Sequence, residues 1–194
     1  MTDTIGLVER ALGQTESIIS AIRPEQATLP TPCPQWTVRD LVEHVAGRGL
    51  RNFTASARGE AVDWRAPAEP IGDDWAGQFR AGVGPLLAAW READLDAMVP
   101  TPAGGEAPMR IRADQQIAEL ATHGWDLVAA TRVDVPLEDE LAEHALAWSR
   151  GMLRPEYRGP DNAFAAEVPV PADAPAYARL AGWFGRDPAW RPPA

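Results

Sequence analysis

Glu119 and His123 stand four residues apart in a stretch of helical apolar spacing, and His44 lies in a second such stretch far upstream. Positions i and i+4 share a helix face, so one carboxylate and one imidazole can grip a single ion while His44 reaches it from a neighbouring helix. Three protein ligands leave coordination positions open, as a catalytic metal requires. Two nitrogen donors and one oxygen bias the ion towards zinc, with nickel the second candidate. Asp126 shares the stripe of Glu119 and His123. There it either orients a metal-bound histidine or pairs with an arginine such as Arg132. The bland reading is that one Glu-x-x-x-His pair is common by chance and that a histidine at a helix edge is a hydrogen-bonded structural residue.

The elements that must position these groups follow from periodicity and breakers. Residues 3–22 place Ile5, Val8, Leu12, Thr15, Ile18, Ile19 and Ile22 at helical spacing, and Pro24 ends the pattern. Pro30, Pro32 and Pro34 make the next stretch an extended connector. Thr37 to Asp40 reads as a capping-box start for a helix running to about residue 58, with Leu41, Val45, Asn52 and Ala55 inward and His44 and Arg48 at the edge. A third helix begins near Asp73, carrying Trp75, Phe79, Val83, Leu86, Leu87 and Trp90 on one side, with Gly82, Gly84 and Pro85 expected to bend it. The Pro- and Gly-rich run between Met98 and Arg110 is a loop or small hairpin.

Residues 111–131 form the helix bearing Glu119 and His123, with Ile117, Leu120, Gly124, Leu127 and Val128 on an adjacent stripe. Residues 138–153 form another, with Leu141, Ala145, Trp148 and Met152 in register. Beyond Pro155 the composition allows one short helix near residues 176–184. Long helices without convincing strands predict an all-α, up-and-down four-helix bundle. It carries a short hairpin or loop insertion and a Pro-rich tail, from about residue 155, that packs on it, so residues 1–194 make one domain. Gly47, Gly49 and Gly124 are poor helix formers and mark either close helix approach or room for a ligand.

Composition sets the limits on function. With 194 residues, 45% of them hydrophobic, the chain can bury one sizeable core. A formal charge of −10 argues against nucleic acid and against anionic membranes as partners. No signal sequence or run of 18 apolar residues stands in the chain, so a cytoplasmic protein is expected. Its abundance of tryptophan suits a homodimer. The single cysteine, Cys33, excludes an intrachain disulfide framework. It is either a redox thiol or a small buried anchor beside Trp36. His144 reads as packing or surface, and Trp36 and Trp125 are candidates to wall a pocket.

The stretches Thr31-Pro-Cys-Pro-Gln-Trp-Thr-Val-Arg-Asp-Leu-Val-Glu-His44 and His123-Gly-Trp-Asp-Leu-Val-Ala-Ala130 resemble the two signature segments of the mycothiol-dependent maleylpyruvate isomerase N-terminal family, within the DinB-like superfamily of metal-binding four-helix bundles. The segment Leu180 to Pro188 is similar to the ending of largely uncharacterised members. The resemblance implies a divalent metal, usually zinc, held by His44, Glu119 and His123. It also implies mycothiol or another low-molecular-weight thiol as cosubstrate, attacking a small electrophile. A divalent ion makes this plausible chemistry, because it lowers the pKa of a bound thiol. Arg48 and Arg51, close to His44, are candidates to bind a substrate carboxylate. The isomerase resembled here carries a further C-terminal domain that supplies an arginine, for which this chain leaves little room, so its own substrate is not implied. Two alternatives stand beside the thiol-dependent enzyme. One is a metal-dependent hydrolase with Glu43 or Asp126 as base; the other is a non-catalytic metal-binding protein.

Overall fold

In the computed structural model, residues 3–34, 36–64, 66–68, 70–101, 104–159 and 164–193 are described. Helix α1 (Thr4–Ala21) starts at Asp3, whose carboxylate accepts from the Gly6 N–H at 3.0 Å. The proline-rich connector folds back on itself because the Thr31 hydroxyl donates to the Trp36 carbonyl at 2.9 Å. At its end the expected capping box forms: the Asp40 N–H donates to Thr37 Oγ1 at 3.3 Å and the Thr37 N–H to Asp40 Oδ2 at 2.9 Å.

The helix that follows is not the single regular one that the periodicity predicted. It runs as α2 (Val38–Val42), then a π-helical segment over Glu43–Gly49, then α3 (Leu50–Ala57). A π turn inserts one residue per turn relative to the α pattern, so the inward face changes phase. Ala55, expected inward, is only half-buried, while Leu50, Phe53 and Ala57 are buried in its place. Helix α4 (Trp75–Glu92) is capped by Asp74 and keeps Pro85 inside it. The loop-or-hairpin expectation resolves as an antiparallel pair, β1 (Met98–Pro100) and β2 (Glu106–Pro108). Then come α5 (Arg110–Thr131), α6 (Asp139–Met152) and α7 (Ala176–Trp183).

Helices α1, α4, α3 and α5 close a four-membered ring: α1 packs on α4 and α5, and α3 packs on the same two. Leu12, Ile18, Leu41, Phe79, Leu86, Trp90, Ile117 and Leu127 fill its centre with at most 1% exposure. Gly124 permits the α1 to α5 approach, since a Cβ there would stand 3.3 Å from Ile18 Cδ1. Helix α6 leans on α5 outside the ring, and α7 packs on α6 and α5. This docking brings the tail back to the bundle. None of the helices is long and apolar enough to cross a membrane, among the described residues.

Candidate metal centre

Three ligand-type side chains meet where the π segment faces α5. His44 Nε2 lies 3.2 Å from Glu119 Oε2, and His123 Nε2 lies 3.3 Å from the same oxygen. One donor atom from each of the three lies within 4.8 Å of the others. The i,i+4 relation on α5 supplies the Glu119 and His123 pair, and the π segment turns His44 towards it. Gly49 belongs to that turn, because a Cβ there would sit 3.2 Å from the His44 carbonyl. Trp36 covers both rings, with centroids 4.5 Å from His44 and 5.6 Å from His123. It therefore walls the site as the sequence suggested, whereas Trp125 is half-buried elsewhere on α5.

Behind His123 lies a buried charge relay. His123 Nδ1–H donates to Asp126 Oδ2 at 3.0 Å, and Arg186 clamps Asp126 from the other side, Nε to Oδ1 at 3.2 Å and Nη2 to Oδ2 at 3.0 Å. Asp126 has no exposed side-chain surface. Its partner is thus Arg186, not the Arg132 suggested by proximity in sequence. Arg132 caps α5 at φ 57°, and this left-handed cap directs its backbone out of the helix. Arg186 follows α7 within the Leu180 to Pro188 segment, whose resemblance to other endings assigned it no role.

Electrostatics differ between the two histidines. Burial lowers the basicity of His44, and the charges of His123 and Arg48 add to this against the pull of Glu119. Burial also penalises a charged His123, but the hydrogen bonds to Asp126 and Glu119 outweigh it and raise its pKa. Burial alone would raise the Glu119 carboxyl, yet the two histidines hold it well below the usual carboxylate range. Arg186 and His123 keep Asp126 ionised in the same way against its desolvation. Metal-free, the cluster is therefore a carboxylate between two imidazoles shifted in opposite directions, His123 the more basic and His44 the less.

The donor set fits a divalent ion: two imidazole nitrogens and a carboxylate oxygen converge, and one imidazole carries the carboxylate partner on its far nitrogen that metal-binding histidines almost always have. Arg48 Nη2 touches His44 Nδ1, so the Arg48 side chain has to shift for His44 to present Nε2 as a lone pair.

Beside the cluster, and sharing His44 and Glu119 with it, lies a cavity of about 180 Å³ bordered also by Arg48, Asn52, Phe53 and Trp64. Arg51 is exposed and hydrogen-bonds Asn52 Oδ1 at 3.4 Å rather than lining this space. Glu43 is engaged with Arg39 at 3.6 Å, and Asp126 is fully committed, so neither base named for hydrolysis faces the cavity. Cys33 is half-buried, its N–H donating to Thr31 Oγ1 at 3.2 Å and its sulfur within electrostatic reach of Arg186. His144 pairs with Asp114 at 2.9 Å between α6 and α5, in keeping with a packing role.

The chain is similar to known proteins over most of its length. Residues 8–128 match the mycothiol maleylpyruvate isomerase N-terminal domain, a span that contains every residue of the cluster but not Arg186. Two uncharacterized proteins from strains of Mycobacterium tuberculosis are each 34% identical over 178 residues, covering 92% of this chain and 94% of their own length. The crystal structure of a mycothiol-dependent maleylpyruvate isomerase superposes with a TM-score of 0.54 at 19% identity, over 75% of this chain and 67% of that one. A histidine-to-alanine mutant of such an isomerase gives 0.57 at 19% identity, over 85% and 72%. At that identity the likeness speaks to the fold alone, and it agrees with the helical ring described above. By the family match and its length, this chain belongs to the mycothiol maleylpyruvate isomerase N-terminal domain family.

Proposed function

We propose that this protein is a metal-dependent enzyme in which a low-molecular-weight thiol, mycothiol in the first instance, attacks a small electrophile. The observation that carries the reading is the convergence of His44, Glu119 and His123 within 4.8 Å, with His123 oriented by a buried carboxylate. These three residues would hold the ion, zinc by donor type with nickel second. When bound, such an ion lowers the pKa of a coordinated thiol and makes a nucleophile available at neutral pH.

The chain's own residues do the rest. Asp126 fixes the proton of His123 on Nδ1 and so leaves Nε2 turned to the cluster. Arg186 holds Asp126 in place. Arg48, at the border of the cavity and the cluster, would bind an acidic group of the electrophile. Trp36 covers the two imidazoles and limits the entry of water from its side. The test is elemental analysis of purified protein together with thiol-dependent consumption of an electrophile, for the natural sequence, His44→Ala and His123→Ala. Near-stoichiometric metal that both variants lose, with turnover only when thiol is supplied, is the expected result. A protein that no divalent ion can load, or turnover that persists in His123→Ala, overturns the reading. Metal binding without turnover of any kind would leave a non-catalytic metal-binding protein.

A further inference from the structure

The cavity beside the cluster has a chemistry of its own. Its walls are mostly apolar, with Leu50, Leu120 and the edge-on pair Phe53 and Trp64, whose ring centroids stand 5.1 Å apart. Its polar border is short of acceptors. Gln115 Oε1 takes a bond from Arg112 at 3.0 Å, Gln116 Oε1 takes one from Trp90 at 2.6 Å, and Glu119 is held by the two histidines.

Donors, by contrast, are in surplus. Arg48 Nη1 meets the Ala66 carbonyl only at 3.4 Å. Asn52 is 5% exposed, and its amide nitrogen has no hydrogen-bond partner. A buried donor left unpaired is costly, and in native proteins each such group calls for an explanation. A ligand oxygen in the cavity would supply the missing partner.

We propose that this cavity is the subsite of the electrophile and takes a small monoanionic carboxylate with an apolar, ring-sized body, its carboxylate held by Arg48 and Asn52. The size follows from scale: a cavity of about 150 Å³ accepts one benzene, so this one admits a single ring with a small substituent. The charge follows from the border. One cation and one amide serve one carboxylate, whereas a second carboxylate would be pressed against Phe53 and Trp64 or against Glu119, without a partner. That the occupant is the electrophile rests on the proposed function; that the cavity binds such a compound does not.

The test is a titration of the metal-free and of the zinc-loaded protein with benzoate, maleate and benzyl alcohol, followed by tryptophan fluorescence and calorimetry. Benzoate is expected to bind at least about tenfold more tightly than the dicarboxylate or the alcohol in both forms. Asn52→Leu, which keeps the size and removes the donor, should weaken benzoate by about tenfold, the effect of one hydrogen bond to a charged group. Arg48→Gln gives a second readout, independent of the folding of the Asn52 variant. Maleate binding as tightly as benzoate, or benzoate affinity unchanged in both variants, would overturn the subsite. Benzoate binding to a protein that cannot be loaded with metal would retire the thiol reading alone. A loaded, thiol-active protein that ignores benzoate would retire the subsite alone.

Discussion

The two histidines of the cluster are held in opposite ways. His123 stands on a regular α-helix, 10% exposed, and is tied through Asp126 to Arg186 in a chain of buried hydrogen bonds. His44 stands on a π segment, 16% exposed, between the Arg48 guanidinium and the face of Trp36. His123 is thus braced from behind by ionic contacts, whereas His44 borders the cavity. On the proposed reading, one ligand would be fixed in advance while the other would share its neighbourhood with the substrate.

The sharpest way to break this contrast is to remove Arg186. Arg186→Ala leaves Asp126 buried with one partner gone, and breaking a buried pair on one side costs about 3–5 kcal/mol. Urea unfolding should show a loss in that range, and zinc affinity should fall about 10- to 100-fold, as for other residues that orient a metal-binding histidine. Stability and affinity both unaffected would mean that the relay does not organise the centre.

Next in size is pH. His123, whose folded pKa is raised, contributes stability that is complete below about pH 6.5 and is lost as pH rises through its folded pKa. His44 is shifted the other way and works against folding as pH falls below about 6.5, where the unfolded chain takes a proton that the folded one refuses. An NMR titration of the metal-free protein should therefore find His123 protonated where His44 is already neutral. Because an ion must displace the His123 proton, metal affinity should rise by about tenfold per pH unit below the His123 pKa. Coincident titration of the two rings would erase the asymmetry.

Gly49→Ala probes the His44 half. Alanine normally stabilises a helix interior by about 1 kcal/mol over glycine, but here its Cβ meets the His44 carbonyl at 3.2 Å. We expect little net change in stability and a severalfold loss of zinc affinity, read by competition with a chelating dye. Smallest of all should be Arg10→Ala. Arg10 and Glu138 are each 42% exposed, and such surface pairs are worth less than about 1 kcal/mol.

Sequence and structure agree best where the signal is local. The capping box at Thr37, the prolines before it, the loop-or-hairpin run after Met98 and the i,i+4 relation of Glu119 and His123 depend on residues close in the chain, and each is legible in the sequence itself. The π segment was hidden because one extra residue in a turn leaves the apolar count unchanged and shows only as a phase error, which moved Ala55 off the inner face. Arg186 was hidden for a different reason. Its partner is on another helix, its own surroundings carry no periodicity, and only the docking of α7 onto α6 and α5 brings the two together.

That docking also gives the centre an order of assembly. As the chain is synthesised, His44, Glu119 and His123 all emerge before Arg186, so the ligands are present while the residue that steadies Asp126 is still to come. On the proposed reading, a nascent chain would hold an ion only loosely until α7 has been made and has docked. Firm capture of an ion would then be a late event in the life of the molecule, and a proteolytic cut ahead of α7 is expected to weaken it while leaving His44, Glu119 and His123 in place.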